Sequence, residues 1–179
     1  MATPGTVLGL ITATPDTPHA TTGSLQAGDW QMPCAFGRGG VTGTKREGDG
    51  CTPLGDWPLR KLYYREDRVV PPGTHLQTTA LRPDQGWCDD SDHELYNQLV
   101  SLPFSASHEL LCRDDHLYDL MIPMGYNDNN IVSGAGSAIF FHLAREDYQP
   151  TEGCVAISPA DMMNLLPMLS SQTILRVAV

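Results

Sequence analysis

The chain has 179 residues, 41% apolar and 18% charged, which is enough for a hydrophobic core and unlike a disordered, collagenous or coiled-coil sequence. Its 11 Lys and Arg against 21 Asp and Glu give a net charge of −10, which argues against a nucleic-acid partner because phosphate binding needs a basic footprint. The same charge suits solubility and is compatible with substrates that carry free amines. No apolar run approaches the roughly 18 residues that a transmembrane helix needs, so no membrane span is expected.

In chain order, Met1-Ala2-Thr3-Pro4 has no basic region, and the apolar stretch Val7 to Ala13 is interrupted by Gly9 and Thr12, so no secretory leader is visible. Residues 6–14 read as a strand. Ser24–Gln26 and Trp30–Phe36 flank Ala27-Gly28-Asp29, a hairpin turn. Gly37 to Gly55 is rich in Gly, Thr, Lys, Glu and Asp, a long polar loop of the kind that usually carries function. Trp57–Tyr64 and Thr74–Leu81 read as strands, Asp92–Val100 as a short helix, and Leu117–Met124 and Ser137–Leu143 as central apolar strands. A clear helix starts after Ser158, a good N-cap, with Pro159 at the first helical position and Asp161 where a capping-box acid belongs. Pro167 ends or kinks it, and residues 173–179 form a closing strand. The expectation is a single mostly β domain over 1–179 with one or two short helices: an N-terminal strand and hairpin in 1–29, then the rest.

Five cysteines, Cys34, Cys51, Cys88, Cys112 and Cys154, leave at least one thiol unpaired. No CxxC spacing suggests a zinc ribbon. If Cys154 is the free thiol, the other four allow three pairings; five buried thiols are the alternative. The strongest local feature is Thr151-Glu152-Gly153-Cys154-Val155, downstream of the apolar strand Ile139-Phe140-Phe141-His142-Leu143. A thiol attacks well only when deprotonated, and an imidazole nearby achieves that. His142 is the nearest candidate. Gly153 lets the backbone turn sharply beside the nucleophile. The amides around Gly153 and Cys154 are candidate oxyanion donors, and Thr151 adds a hydroxyl.

These residues carry a resemblance. Ser137 to His142 followed by Thr151-Glu152-Gly153-Cys154-Val155 resembles the signature of YkuD-type L,D-transpeptidases, a strand-borne His before an S/T-x-G-C-I/V motif. The segment Lys45-Arg46-Glu47-Gly48-Asp49-Gly50, then Thr52-Pro53-Leu54-Gly55, resembles the family's K-x-G-D-x-x-T-P-x-G run. Together the two ordered motifs cover about residues 30–179. The resemblance implies a β-sandwich-like catalytic domain that uses no cofactor. By the same resemblance, Cys154 is the nucleophile, His142 its base oriented by a backbone carbonyl, and the Gly153 and Cys154 amides the oxyanion hole, with Thr151 beside them. It further implies attack on a peptidoglycan stem peptide at an L-centre, release of a D-amino acid, a thioacyl-enzyme, and transfer to an amine of another stem. A carbapenem is the expected inhibitor, and the periplasm or cell envelope the expected location. A carboxypeptidase, endopeptidase or exchange enzyme shares the thioacyl step, and a non-catalytic wall-binding domain is the reading from a different class. This sequence departs from the pattern in three places. The His-to-Cys loop is short, Ala156 stands where many members carry Arg or Asn, and Glu152 stands where His is frequent; together these resemble a compact proteobacterial branch.

The next dense cluster, Ser105 to Asp119, mixes His, acids, Arg and Tyr. His108, Arg113, Tyr118 and Asp119 suit a zwitterionic diamino-acid head, with Arg pairing carboxylate and acids pairing ammonium. Asn127, in the turn Tyr126 to Asn130, is placed to face substrate from a strand end. His108, Cys112 and His116 lie four apart, but Pro103 and the nearby Asp pair argue against the helix that would align them, so no metal is expected. Trp87 is a candidate groove wall.

Overall fold

The computed structural model describes residues 6–179. Its strands, in chain order, are β1 (Leu10–Pro15), β2 (Thr22–Ala27), β3 (Trp30–Ala35), β4 (Val41–Thr42), β5 (Thr52–Pro53), β6 (Gly55–Pro58), β7 (Leu62–Tyr64), β8 (Thr78–Ala80), β9 (Gln85–Cys88), β10 (Leu99–Ser101), β11 (His108–Leu110), β12 (Leu120–Pro123), β13 (Phe140–Leu143), β14 (Val155–Ile157) and β15 (Ile174–Val177). Helix α1 (Pro159–Leu165) follows β14. The mostly β expectation holds.

Ten strands form one sheet in the order β6-β15-β1-β2-β3-β14-β13-β12-β7-β8. The short segment after β6 ties its two flanks together. The Leu59 N–H donates to the Thr173 carbonyl at 3.0 Å, beside β15, and the Arg60 N–H donates to the Pro123 carbonyl at 3.1 Å in β12. The sheet therefore curls around one apolar core that includes Ile11, Leu25, Phe36, Leu62, Leu120, Phe141, Ile157 and Leu175. A separate sheet, β10-β9-β11, stands apart from this one.

Strand periodicity decides which side chains meet the core. Successive residues of a strand point to opposite faces. In β13 Phe141 and Leu143 enter the main core, while Phe140 joins a second cluster with Tyr63, Leu111, Tyr118, Met121 and Cys154. Val155 and Ile157 of β14 likewise face the main core. The opposite face of the same two strands is thus left to Cys154, Phe140 and His142.

The expected hairpin is β2–β3, paired from Thr22↔Ala35 to Ala27↔Trp30. The expected cap also forms: Ser158 Oγ accepts from the Asp161 N–H at 3.1 Å and donates to Asp161 Oδ2 at 2.7 Å, and Met162 and Leu165 are buried. Other expectations are corrected. Asp92–Val100 is not a helix but a run of turns leading into β10. Asn97 there takes φ 55°, and its amide group donates to the Tyr126 and Asn127 carbonyls at 3.2 and 2.9 Å, so tertiary hydrogen bonds outweigh local helix preference. Trp57–Tyr64 divides into β6 and β7 at the link between the flanks. All five cysteines lie among the described residues, and all are free thiols.

Candidate active site

β13 and β14 run parallel in the register Phe141↔Val155, His142↔Ala156, Leu143↔Ile157. One step back, this places Cys154 beside Phe140, and the Phe140 N–H donates to Cys154 Sγ at 3.3 Å. The thiol in turn donates to the Ala138 carbonyl at 3.4 Å. His142 lies two residues along from Phe140 on the same face, beside Ala156. Both His142 and Cys154 are buried, and both line one cavity of about 490 Å³. Ala156 lines it too, and its small methyl leaves the space next to the imidazole open, where an Arg would fill it.

The imidazole is oriented by main chain. His142 Nδ1 lies 2.8 Å from the Leu143 carbonyl, which can only accept, so Nδ1 carries the proton and Nε2 the lone pair. Tyr118 packs edge-on against the ring, with centroids 5.1 Å apart. Burial pushes His142 down to about 4 and the Cys154 thiol up to about 12, the latter reinforced by the charge of Glu109. Burial of both groups therefore favours a neutral thiol and a neutral imidazole at pH 7 in the free protein. The hydrogen-bond partners of Sγ are Phe140 and Ala138, not His142.

The turn that delivers Cys154 is built from hydroxyls and glycines. Thr151 Oγ1 donates to the Cys154 carbonyl at 2.8 Å and accepts from the Gly153 N–H at 3.2 Å. Thr52 Oγ1 donates to the same carbonyl at 3.2 Å and accepts from the Gly37 N–H at 2.9 Å. Gly153 adopts φ +134°, and a Cβ there would lie 2.9 Å from the Cys51 carbonyl oxygen. Only glycine fits this backbone and this contact. In the free protein the Gly153 N–H, expected to be an oxyanion donor, is engaged by Thr151 Oγ1. Thr151 itself braces the turn, its hydroxyl committed to the Cys154 carbonyl. Thr52, which holds the nucleophile's carbonyl from the Thr-Pro-Leu-Gly segment, carries no separate signal in the sequence beyond that motif.

The polar loop forms one wall. Lys45 Nζ reaches Asp49 Oδ1 at 2.5 Å and the Arg46 carbonyl at 2.9 Å. The Glu47 carboxylate accepts from Ser137 Oγ at 2.7 Å, from the Tyr96 hydroxyl and from the Gly48 N–H. Lys45, Glu47 and Ser137 all line the cavity.

The lining also includes three of the five expected substrate-contacting residues, His108, Arg113 and Tyr118. Arg113 is already paired: Nε and Nη2 meet the Asp115 carboxylate at 2.9 and 2.7 Å, and its guanidinium sits 5.3 Å from the Tyr118 ring centroid. Burial keeps Tyr118 a phenol, and its hydroxyl donates to Glu109 Oε1 at 2.6 Å. Asp119 and Asn127 are corrected, since neither lines this cavity. Asp119 is held by Arg68 at 3.1 Å and His116 at 2.6 Å. The Asn127 side chain ties its own loop to the Val132 and Gly136 carbonyls at 3.1 and 2.9 Å. Asp89, to which the sequence gives no signal, lines the cavity together with Glu109, an acid of the expected Ser105 to Asp119 cluster. Asp89 Oδ1 is fully buried and has no hydrogen-bond partner among the described residues. The helix that would have aligned His108, Cys112 and His116 is absent: His108 lies on β11 and the other two in turns, and among the described residues no three His, Cys, Asp or Glu side chains converge as a metal site. Trp87 packs edge-on to Phe140 and lines a second cavity of about 280 Å³.

No curated protein matches this chain. Among solved structures, an L,D-transpeptidase from Mycobacterium smegmatis is similar at 15% identity with a TM-score of 0.41, over 95% of this chain and 58% of that one. L,D-transpeptidase 1 of Mycobacterium tuberculosis is similar at 13% identity with a TM-score of 0.40, over 96% of this chain and 61% of that one. The chain thus spans about three-fifths of the length of these two. A family model, the YkuD L,D-transpeptidase catalytic domain, matches residues 18–179, which is most of the sequence and includes both motifs. The chain belongs to the YkuD L,D-transpeptidase catalytic-domain family.

Proposed function

We propose that the protein is a cysteine acyltransferase acting on peptidoglycan stem peptides. The observation that carries this is the placement of His142 on β13 and of Cys154 immediately before the parallel strand β14, both opening into the same cavity. Because both groups are neutral at rest, attack and proton transfer are coupled. The Sγ–C bond forms at an L-centred carbonyl as the thiol proton passes to His142 Nε2, a step that general-base catalysis supports when the lone pair faces the proton. The tetrahedral adduct collapses, the C–N bond breaks, and the departing amine of the terminal D-residue takes that proton. An amine of a second stem then attacks the thioester and gives its proton to Nε2. As the C–S bond breaks, the proton returns to sulfur. For the Gly153 amide to hold the oxyanion, it exchanges its Thr151 partner for the substrate oxygen, which makes the turn part of the chemistry.

The cavity is lined by both signs of charge, Glu47, Asp89, Glu109 and Glu152 with Lys45, Arg113 and Arg145, which supports a substrate that carries both amine and carboxylate groups. The cell envelope is the location this substrate requires. Among the described residues no helix is long and apolar enough to cross a membrane. Incubation with defined disaccharide tri-, tetra- and pentapeptides, with products identified by mass, tests the proposal. Crosslinked dimers that vanish in Cys154→Ala are expected. Dimers that persist in that variant overturn it, and shortened monomers alone assign the acyl group to water instead.

A further inference from the structure

The small sheet has an open edge, and that edge lies in the active-site cavity. β9 is the central strand: β10 pairs with one side and β11 with the other, both antiparallel. Antiparallel partners alternate between residues that exchange main-chain hydrogen bonds and residues that do not. Here the Asp89 N–H donates to the Ser107 carbonyl and the Leu111 N–H to the Gln85 carbonyl, which fixes 107, 109 and 111 as the residues bonded to β9. Cys88, opposite His108, exchanges its bonds with the other neighbour: its N–H donates to the Gln98 carbonyl at 2.9 Å, and its carbonyl accepts from the Asn97 N–H at 2.9 Å. The main-chain groups of His108 and Leu110 therefore point away from β9. Among the described residues no strand pairs with that side. His108, Glu109 and Leu110 all line the cavity that contains Cys154, and the Leu110 side chain is 53% exposed.

We infer that the β11 edge is the docking strand for the peptide part of the acyl donor, an inference that rests on the acyl-transfer reading of the cavity. The N–H and C=O groups of His108 and Leu110 lie roughly 7 Å apart along the edge, the repeat of an extended chain, and receive two amides of an extended stem as an added strand. Main-chain pairing of this kind gives affinity that depends little on the side chains of the peptide. It also explains why a strand that buries so little of itself is kept as an edge: it is completed by substrate. Glu109 points to the other face, where it holds Tyr118, so the pairing leaves that contact intact.

The test uses the 15N-labelled Cys154→Ala protein titrated with a stem tetrapeptide. Pairing predicts that the His108 and Leu110 amide signals shift downfield and exchange with deuterium at least ~tenfold more slowly, while the Glu109 amide, already in the ladder, does not change its exchange rate. Binding without change at His108 and Leu110 overturns the edge pairing alone; no binding at all overturns the acyl-transfer reading with it. Leu110→Pro removes one edge donor without touching the β9 ladder, whereas Leu110→Ala keeps it. A KM about tenfold higher for Leu110→Pro than for Leu110→Ala is expected, the value of one hydrogen bond. Equal KM values, in a Leu110→Pro protein still acylated by a carbapenem, refute the pairing. If Leu110→Pro does not fold, stem peptides N-methylated at successive amides decide with the unaltered enzyme: one or two positions lose about tenfold in kcat/KM, or none does and the inference falls.

Discussion

The neutral resting pair makes a sharp statement about thiol reactivity. With Cys154 pushed up to about 12, the thiolate fraction at pH 7 is about 1 in 100,000. An unperturbed thiol near 8.5 would have about 3%, so Cys154 should react with a simple alkylating agent roughly three thousandfold more slowly than an ordinary exposed cysteine. Iodoacetamide labelling, resolved by peptide mass so that half-buried Cys51 and Cys112 are scored separately, measures this directly. The Cys154 rate should climb about tenfold per pH unit from 7 to 10 without levelling off. Burial is the main cause and the Glu109 charge the next, so Glu109→Gln should lower the apparent pKa and speed labelling at fixed pH. A rate that levels off below pH 8 would refute the reasoning, because it would mean that His142 already holds the proton in the free enzyme.

The remaining expectations concern the base, the turn and its supports. His142 works as a neutral base and is pushed down to about 4, so kcat/KM for the acylation step should hold down to pH 5 and fall below about 4; an acid limb near 6.5 would contradict this. The same shift sets a stability window. The unfolded chain takes up the His142 proton below about 6.5 and the folded protein only near 4, so folding stability should drop by about 3 kcal/mol as pH falls between these values. Chemical denaturation at pH 7 and pH 4 should show His142→Gln losing that much less than the parent. Thr52→Val leaves the buried Gly37 N–H without its acceptor and removes one donor from the Cys154 carbonyl, and should cost about 1–3 kcal/mol in a denaturant melt. Gly153→Ala places a methyl against the Cys51 carbonyl at φ +134° and should abolish Cys154 acylation while also lowering Tm; a variant with normal acylation would show that the turn is not confined as described.

Local chemistry was legible in the sequence wherever a short stretch of chain settles its own geometry. Ser158, Pro159 and Asp161 specify the start of α1, the β2–β3 hairpin follows from its turn, and the apolar run before His142 becomes β13. The alternation in β13 that puts Phe141 in the core and His142 on the opposite face is likewise readable from period two. What escaped were features fixed by distant partners. β9 and β11 are three or four residues each, with little apolar pattern, and exist because they pair with one another. Asp92–Val100 has a helix-like composition, but Asn97 and Tyr96 are drawn into contacts with 126–136. Asp119 and Asn127 have the right chemistry for a substrate contact, and only the fold shows that Arg68, His116 and the 127–136 loop already claim them. The burial of Cys154 and His142 escaped for the same reason: proximity of a Cys and a His in sequence says nothing about how completely both are taken out of water.

The most direct test of the central claim is rapid-quench intact-mass analysis with a stem tetrapeptide, followed by peptide mapping of the trapped species. The account predicts a transient adduct equal to the donor minus its terminal D-amino acid, carried as a thioester on Cys154, formed at least a hundredfold more slowly in His142→Ala. An adduct on another residue, or one that forms at the parental rate without His142, would contradict it.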